Sequence, residues 1–156
     1  MSQVSVFDVT LTCVTTAYTD GDLLFDSTEV PHFFRDYTHY AYITGVQLLD
    51  VDDQGLALDL LLFDTEVDAG TVDDASNITD ASALSQLGWI DINASDYVDW
   101  GGHRTATIKH TDTGMYVPGW IKSASGGTSL YIAGITRGAP TYGGGSLKLK
   151  ISVMYD

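Results

Sequence analysis

The sequence contains one cysteine, few basic residues and no long apolar run. The single thiol, Cys13, cannot form a disulfide within the chain, which excludes a small disulfide-stapled scaffold. No stretch approaches the roughly 18 apolar residues that a membrane-spanning helix needs. Only seven Lys and Arg stand against 21 Asp and Glu, for a net charge of −14 at pH 7. Phosphate groups and anionic membrane surfaces are bound by clustered cations, so we expect neither direct nucleic-acid binding nor a membrane partner.

The length of 156 residues and the composition fit one folded domain. Hydrophobic residues make up 44% of the chain, and a domain of this size buries about 70% of the surface that its unfolded chain exposes. A core of that size needs neither disulfides nor a metal ion. We therefore expect residues 1–156 to form a single β-sandwich domain, for the reasons that follow.

Acidic and basic residues are unevenly distributed along the chain. Residues 1–102 contain 19 acids and one base, Arg35, whereas residues 103–156 contain six bases and two acids. The first part therefore has a net charge of −18 and the second a net charge of +4. Opposite charges of this kind are either neutralised within one subunit or align neighbouring subunits, since complementary patches fix the register of an interface.

Apolar and polar residues alternate along most of the chain, with the period of two that is typical of β-strands. Turns rich in Gly or Asp separate the alternating segments. The pattern predicts eight strands, within residues 4–13, 40–49, 56–63, 89–92, 104–110, 115–121, 128–137 and 146–154. Short strands with such turns predict an all-β fold: an antiparallel β-sandwich or jelly-roll-like domain with about eight strands and at most one short helix.

The final strand has the clearest alternation. One face is predicted to be apolar and the other polar, with Leu147, Leu149, Ile151 and Val153 on the first and Ser146, Lys148, Lys150 and Ser152 on the second. We therefore expect this strand to lie within a sheet, with its apolar face against the core.

Two strand boundaries are less regular. The alternation of the first strand slips between Val6 and Val9, which predicts a bulge near residues 7–8. Residues 52–55 form a turn that leads directly from one predicted strand into the next, which predicts a hairpin.

The one helical segment follows an acidic stretch. Residues 64–80 contain six acids and no base, which indicates a solvated loop. Thr79 or Asp80 is a suitable N-cap for a helix of one or two turns, and Gly88 is a suitable residue to end it.

No arrangement of catalytic or metal-binding residues is apparent. There is no G-x-S-x-G elbow for a nucleophilic serine, and Cys13 lies on the apolar face of a predicted strand, where thiols are unreactive. Residues 50–55 begin like an EF-hand loop, but Leu61 stands where the bidentate carboxylate is required. The four histidines, which lack the spacing of a zinc site, are His32, His39, His103 and His110. We predict no catalytic residue, no cofactor and no metal site, with a weak surface cation site at residues 50–53 as the alternative.

Several side chains are candidates for a protein interface. Residues 32–42 are rich in aromatic rings and hold the one N-terminal arginine; the candidates there are Phe33, Phe34, Arg35 and Tyr37. Aromatic rings beside an arginine often anchor interfaces, although the same rings suit a strand entry that covers the end of the sandwich. Trp100 and Trp120 lie in Gly-flanked loops and either cap the core or sit at contacts. Lys148 and Lys150 are candidates if the basic last strand faces a neighbouring subunit.

Three segments share strand and turn patterns with one group of proteins. They are LALDLLLFD (residues 56–64), GWIDINASDYVDWG (88–101) and LYIAGITRGAPTYGGGSLKLKISVMYD (130–156), in the same order over residues 40–156. These segments resemble small accessory virion proteins of tailed bacteriophages, of the capsid-decoration or head-fibre kind. The resemblance implies a β-rich protein without catalytic activity. It also implies a symmetric homo-oligomer that binds the assembled shell of the major capsid protein at the outer surface of the virion.

Four functional hypotheses follow from these observations. The first is a capsid decoration protein that binds the major capsid protein and its own copies, with a trimer as the expected assembly. The second is a tail, adaptor or head-fibre component of the virion. The third is a carbohydrate-binding β-sandwich module, in which exposed tryptophan and tyrosine rings stack on sugars. The fourth is an enzyme such as a small glycosidase or a jelly-roll oxygenase, whose required motif the sequence lacks.

Overall fold

The computed structural model describes residues 2–35, 38–109 and 118–156 of the chain. These residues contain ten strands, one short helix and a 3-10 turn. In chain order the elements are β1 (Gln3–Leu11), β2 (Leu23–Val30), β3 (Tyr40–Asp50), β4 (Leu58–Phe63), α1 (Asp80–Ala83), β5 (Gln86–Ile92), the 3-10 turn (Ala94–Asp96), β6 (Tyr97–Asp99), β7 (Arg104–Lys109), β8 (Trp120–Lys122), β9 (Leu130–Thr136) and β10 (Leu147–Tyr155). No helix among the described residues has the length and hydropathy of a membrane-spanning segment.

The strands form two antiparallel sheets. The larger sheet has the order β1-β10-β3-β7-β6, with β8 also paired to β3, and the smaller sheet has the order β2-β9-β4-β5. Strands β1 to β4 therefore alternate between the sheets, and the last two strands insert among them: β10 between β1 and β3, and β9 between β2 and β4. This wrapping is the jelly-roll form of the β-sandwich, so the predicted fold class is confirmed.

The core lies between the sheets, where their inward-facing side chains meet. Strand β10 shows how the sequence produces it, because its apolar and polar residues alternate without interruption. The inward residues are all buried; they are Leu147, Leu149, Ile151, Val153 and Tyr155. Lys148 and Lys150 point outward and are exposed. The predicted division of this strand into two faces is confirmed.

The bulge predicted in the first strand is absent from the described pairing. Strand β1 pairs with β10 in one continuous register from Gln3 to Leu11. The slip in the alternation has another cause: Val9 and Leu11 face the core, whereas Val4 and Val6 lie on the opposite face and are exposed. Out-of-phase apolar residues thus mark an exposed apolar patch.

The predicted hairpin at residues 52–55 is wrong, because β3 belongs to the larger sheet and β4 to the smaller one. The turn carries the chain from one sheet to the other. The carboxylate of Asp50 is buried there and accepts hydrogen bonds from the backbone N–H groups of Gly55, at 2.7 Å, and Asp52, at 3.1 Å. Burial raises the pKa of Asp50, and these N–H donors oppose the rise.

The acidic segment between β4 and α1 is more than a solvated loop. Its apolar residues Val67 and Ala69 are buried against Phe63 and Ala133 on the outer face of the smaller sheet. The N–H of Ala69 donates to the carboxylate of Asp26 at 3.2 Å. Apolar side chains at every second position therefore attach the segment to the sheet and leave its exposed carboxylates in solvent. We call residues 64–79 the acidic connection.

Helix α1 begins as predicted and ends earlier than predicted. The hydroxyl of Thr79 accepts a hydrogen bond from the N–H of Ser82 at 3.1 Å, which is an N-cap. The helix ends at Ala83 because the chain pairs with β4 from Gln86 onward, and Gly88 lies within that pairing.

Two strands were not predicted. Strand β2 lacks alternation because its pairing with β9 shifts register twice, between Leu23 and Phe25 and again between Phe25 and Thr28. Strand β6 has only three residues. The strand predicted at residues 115–121 lies partly outside the described residues, and its described end corresponds to β8.

Candidate functional site

The one thiol of the chain is a core group. Cys13 is buried, and burial raises its pKa to about 12. The nearby carboxylates of Asp50 and Asp52 act in the same direction. Since the thiolate is the reactive form, this side chain is not available for nucleophilic chemistry near neutral pH.

A labelling experiment tests this conclusion. We expect iodoacetamide to modify Cys13 at least a hundredfold more slowly in the native protein at pH 8 than in urea, because a pKa near 12 leaves little thiolate and the core excludes the reagent. Mass spectrometry of samples quenched over time measures both rates. Equal rates under the two conditions would show that the thiol is accessible and ionisable.

The carboxylates of the alternative considered at residues 50–53, a weak surface cation site, are engaged in hydrogen bonds within the chain. Asp52 accepts the N–H of Gly143, and Asp53 accepts the guanidinium Nε of Arg104 at 2.7 Å. Across residues 2–35, 38–109 and 118–156, no three His, Cys, Asp or Glu side chains are grouped in a way that could hold a metal ion. His110 lies outside the described residues.

The aromatic segment before β3 contributes to the core. Phe33 and Phe34 are both buried, so neither offers an exposed ring to a partner, and we remove both from the candidate interface residues. The hydroxyl of Tyr155 donates to the carbonyl of Phe33 at 2.7 Å. Arg35 stacks over the ring of Tyr155, with its guanidinium carbon 4.3 Å from the ring centroid. These rings cover the end of the sandwich; Tyr37 lies outside the described residues.

Trp100 lies in the turn between β6 and β7, and 62% of its surface is exposed. Its indole N–H donates to the Thr105 hydroxyl at 2.8 Å, and its backbone N–H donates to the His103 carbonyl at 3.0 Å. The next residue, Gly101, has φ of 79°, a left-handed conformation that favours glycine. Its N–H donates to Asp99 at 2.7 Å. These bonds hold the indole ring in a fixed orientation on the surface.

A row of apolar and aromatic side chains crosses the outer face of the larger sheet. The strand registers place Val4 opposite Met154, Met154 opposite Tyr42, and Tyr42 opposite Trp120. The rings of Tyr42 and Trp120 meet edge to face with centroids 5.2 Å apart. Val4 is 66% exposed and Trp120 is 49% exposed. We call these four residues the aromatic row.

A cavity of about 300 Å³ adjoins the aromatic row. Its lining consists of Thr38, Tyr40, Trp120 and Asp156. The ammonium group of Lys122 lies 4.9 Å from the centroid of the Tyr40 ring, a cation–π arrangement. With an apolar wall beside the cation of Lys122 and the carboxylate of Asp156, the cavity is suited to bind a protruding side chain of a partner protein.

Four exposed lysines lie on the same outer face as the aromatic row. They are Lys109, Lys122, Lys148 and Lys150. Lys150 pairs with Asp8 of the neighbouring strand at 2.6 Å. Because β10 lies between β1 and β3, Lys148 and Lys150 are accessible only from this outer face.

Several exposed apolar residues were missed among the candidates, including Val4, Val6 and Trp89. Val4 and Val6 had a signal in the sequence, the out-of-phase alternation of the first strand. The sequence also contained a signal for Trp89, because this residue alternates with the buried residues Ile90 and Ile92 and so points away from the core. In each case the signal is an apolar residue on the polar face of its strand.

Comparisons with known proteins give only distant structural likenesses. No family model and no curated protein sequence matches the chain. A structure of tomato aspermy virus is 12% identical, with 98% of this chain and 76% of that chain covered and a TM-score of 0.40. A structure of infectious bursal disease virus strain Gx is 14% identical, with a TM-score of 0.39; 98% of this chain is covered, and it spans 32% of the other chain's length.

A bacteriophage structure is also among the similar chains. It is an acid-stable capsid of the Helicobacter pylori bacteriophage KHP30, which is 11% identical, with 99% of this chain and 92% of that chain covered and a TM-score of 0.30. At these identities and TM-scores we base no functional inference on the likenesses.

Proposed function

We propose that the chain is a non-enzymatic structural protein of a virus particle, a decoration or stabilisation protein on the outer surface of the capsid. The observation that carries the proposal is the strand order of the two sheets, which is that of a jelly roll. Jelly rolls occur in viral capsid domains, in lectin domains and in cupins. The resemblance of residues 40–156 to accessory virion proteins of tailed bacteriophages favours the first of these.

The interior of the sandwich supports a binding role. A jelly-roll oxygenase needs clustered histidines and a carboxylate at its reaction centre. The corresponding space in this chain is filled by packed apolar side chains of both sheets, among them Leu48, Leu60, Ile132 and Ile151. The function of this protein therefore depends on its surface residues.

Trp100 is the anchor that we propose for contact with the major capsid protein. A large aromatic ring contributes most to an interface when it is buried there completely. The ring is already fixed by Thr105, so binding does not have to restrict its rotamers, which is a cost that interfaces otherwise bear. The exposed Val98 lies in the adjoining edge strand β6 and extends the apolar contact.

The charge of the chain suits an abundant surface protein. A net charge of −14 keeps a protein soluble when many copies are made. Closed symmetric assemblies are the usual form of homo-oligomers, and we propose a ring about a three-fold axis, in which each copy presents the same end to the shell.

Replacing Trp100 by alanine tests the proposal. We expect W100A to bind isolated shells that lack the chain about 30-fold more weakly than wild type, since the loss of a central aromatic anchor costs about 2 kcal/mol or more. Co-sedimentation over a range of protein concentrations measures the affinity. W89A is the matched control, because Trp89 is also about half exposed but lies on the smaller sheet.

Two results would count against this anchor. Equal losses in W100A and W89A would indicate a general effect of removing an indole ring. Wild-type affinity in W100A would place the contact elsewhere on the surface.

The same tryptophan favours a second candidate function, a carbohydrate-binding module. A fixed, exposed indole is a suitable platform for the apolar face of a sugar ring. Titration of the purified chain with capsule or cell-wall oligosaccharides, followed by Trp fluorescence, distinguishes the candidates: saturable quenching that W100A abolishes supports the sugar-binding role.

The number of copies per particle separates decoration from the alternative virion locations. A decoration protein is present in many copies that follow the lattice of the shell, whereas a tail, adaptor or head-fibre component is present in few. Quantitative gel analysis of purified particles against the major capsid protein gives this ratio.

A further inference from the structure

The outward side of the smaller sheet is strongly acidic. The acidic connection attaches to this sheet through Val67 and Ala69, and its alternate residues Glu66 and Asp68 are exposed. Asp74 and Asp80 are exposed as well. Arg137 pairs with Asp59 of β4 in this sheet, but no Lys or Arg occurs in the sequence between Arg35 and Arg104 to offset the other acids.

The outward side of the larger sheet has the opposite character. Four exposed lysines lie there, and the one ion pair that the described residues form with them joins Lys150 to Asp8. Lys109 and Lys148 have no ion-pair partner among the described residues. This face therefore combines uncompensated positive charge with the apolar surface of the aromatic row.

The two charged sides are too far apart to neutralise each other. Packed sheets lie about 10 Å apart, and the outward side chains of each sheet add to that separation. Exposed charges more than about 8 Å apart are largely screened at physiological ionic strength. Neutralisation within the subunit accounts for three bases of the last third, because Arg104, Arg137 and Lys150 each pair with an acid of residues 1–102. The lysines that form no ion pair with a described residue, Lys109, Lys122 and Lys148, are available to align neighbouring subunits.

We propose that a second copy of this chain binds the outer face of the larger sheet through its acidic connection. The contact joins two different surfaces, so it is head-to-tail and closes into a ring when the rotation between copies permits. Lys109 and Lys148 meet carboxylates of the next copy, and the aromatic row supplies the apolar centre that interfaces require.

The dimensions of the face fit such a contact. Strand β10 has nine residues, which extend about 30 Å, and four neighbouring strands span about 19 Å. The product is about 600 Å², close to the roughly 800 Å² that each partner contributes to a standard interface. Trp100 lies in the turn after β6, which is the strand that ends the order of this sheet, and it remains free for a different partner.

Charge reversal on each face provides the test. The lysine variant is K109E/K148E and the loop variant is E66K/D74K. The side chains of these four residues form no ion pair and no hydrogen bond with another described residue, so the substitutions break no such contact. We expect each variant alone to associate at least tenfold more weakly than wild type, measured by sedimentation velocity of the purified chain without shells. An equimolar mixture of the two is expected to regain association, because both contacts between unlike copies are complementary. Two variants cannot alternate around a ring of three, so the mixture is expected to form pairs rather than closed trimers.

The loop variant also serves as a control for overall repulsion. It changes the net charge from −14 to −10, which lowers the repulsion between copies, so a weaker association can only come from the lost local pairing. Circular dichroism confirms that both variants are folded.

Three outcomes would overturn the proposal. A wild-type chain that stays monomeric at all concentrations removes the contact altogether. Wild-type association in the loop variant shows that the connection is not part of the contact, as in a symmetric pairing of two larger sheets. A mixture that fails to associate excludes the complementary pairing. Since no shells are present, each result is independent of whether the chain binds a capsid.

Discussion

Replacing Ile151 by aspartate is expected to unfold the protein at neutral pH. Ile151 is fully buried in β10, and its partners across the larger sheet are Phe7 in β1 and Val46 in β3. A carboxylate at this position has no cation and no hydrogen-bond donor within the core, and an unpaired buried charge costs several kcal/mol. That cost is comparable to the whole stability of a typical domain, about 5–15 kcal/mol.

Urea unfolding followed by circular dichroism measures the effect. We expect I151D to show no cooperative transition. At a protein concentration where wild type is monomeric, K148D is expected to unfold at the same urea concentration as wild type, because Lys148 lies in the same strand with its side chain in solvent. A cooperative transition of I151D near the wild-type midpoint would show that this face of β10 does not line the core.

Gly134→Val is the second substitution with a large expected effect. Gly134 lies opposite Phe25 in the pairing of β2 with β9, and a Cβ atom at Gly134 would be 2.3 Å from Cε1 of that ring. Phe25 is itself fully buried and cannot swing into solvent. Strand β9 has neighbours on both sides, which prevents the backbone from moving away. We expect G134V to lose about 3 kcal/mol of unfolding free energy, at the upper end of overpacking effects.

A double-mutant cycle identifies the contact responsible. Phe25→Leu removes the atoms that the new side chain meets, so F25L/G134V is expected to be more stable than the sum of the single effects predicts, by about 1 kcal/mol or more. Gly144→Val is the matched control, since the nearest atom to its Cβ is 3.7 Å away. Strict additivity in the cycle would show that the ring of Phe25 is not the obstacle.

Regular alternation was the part of the fold that could be predicted. In β10 every second residue from Leu147 to Val153 is apolar, and a strand with that pattern has one stable orientation against a core. Strand β2 could not be predicted in this way, because its two register shifts break the alternation. The change of sheet at residues 51–57 was missed for a different reason: a turn sequence does not specify which sheet receives the next strand.

The candidate site was predictable only where local sequence determines exposure. Lys148 and Lys150 alternate with buried apolar residues, and both are exposed as that alternation predicts. The turn residues around Trp100 left open whether its ring caps the core, and only the fold shows that the ring is exposed. Phe33 and Phe34 have similar local surroundings but are buried by contacts with distant residues, including Tyr155 at the other end of the chain. The acidic connection was predicted as solvent-exposed, and only the fold shows that Val67 and Ala69 fasten it to a sheet.

The topology determines on which side of the sandwich the acidic and the basic parts of the chain lie. Strands β7, β8 and β10 come from the basic last third of the chain, and all three lie in the larger sheet. The acidic connection comes from the first two thirds and covers the smaller sheet. Strand β9 is the exception, since it lies in the smaller sheet and is followed by Arg137, which pairs with Asp59 of β4. Apart from it, the division along the sequence becomes a division between two sides of the sandwich, which is the basis for the head-to-tail contact that we propose.

Binding to capsid shells is the most direct test of the proposed function. Purified chain is titrated onto isolated shells that lack it, and the bound amount is measured by co-sedimentation. We predict binding that saturates at a fixed ratio of chain to major capsid protein, with W100A shifted to higher concentrations. A chain that stays in the supernatant at every concentration would contradict the account.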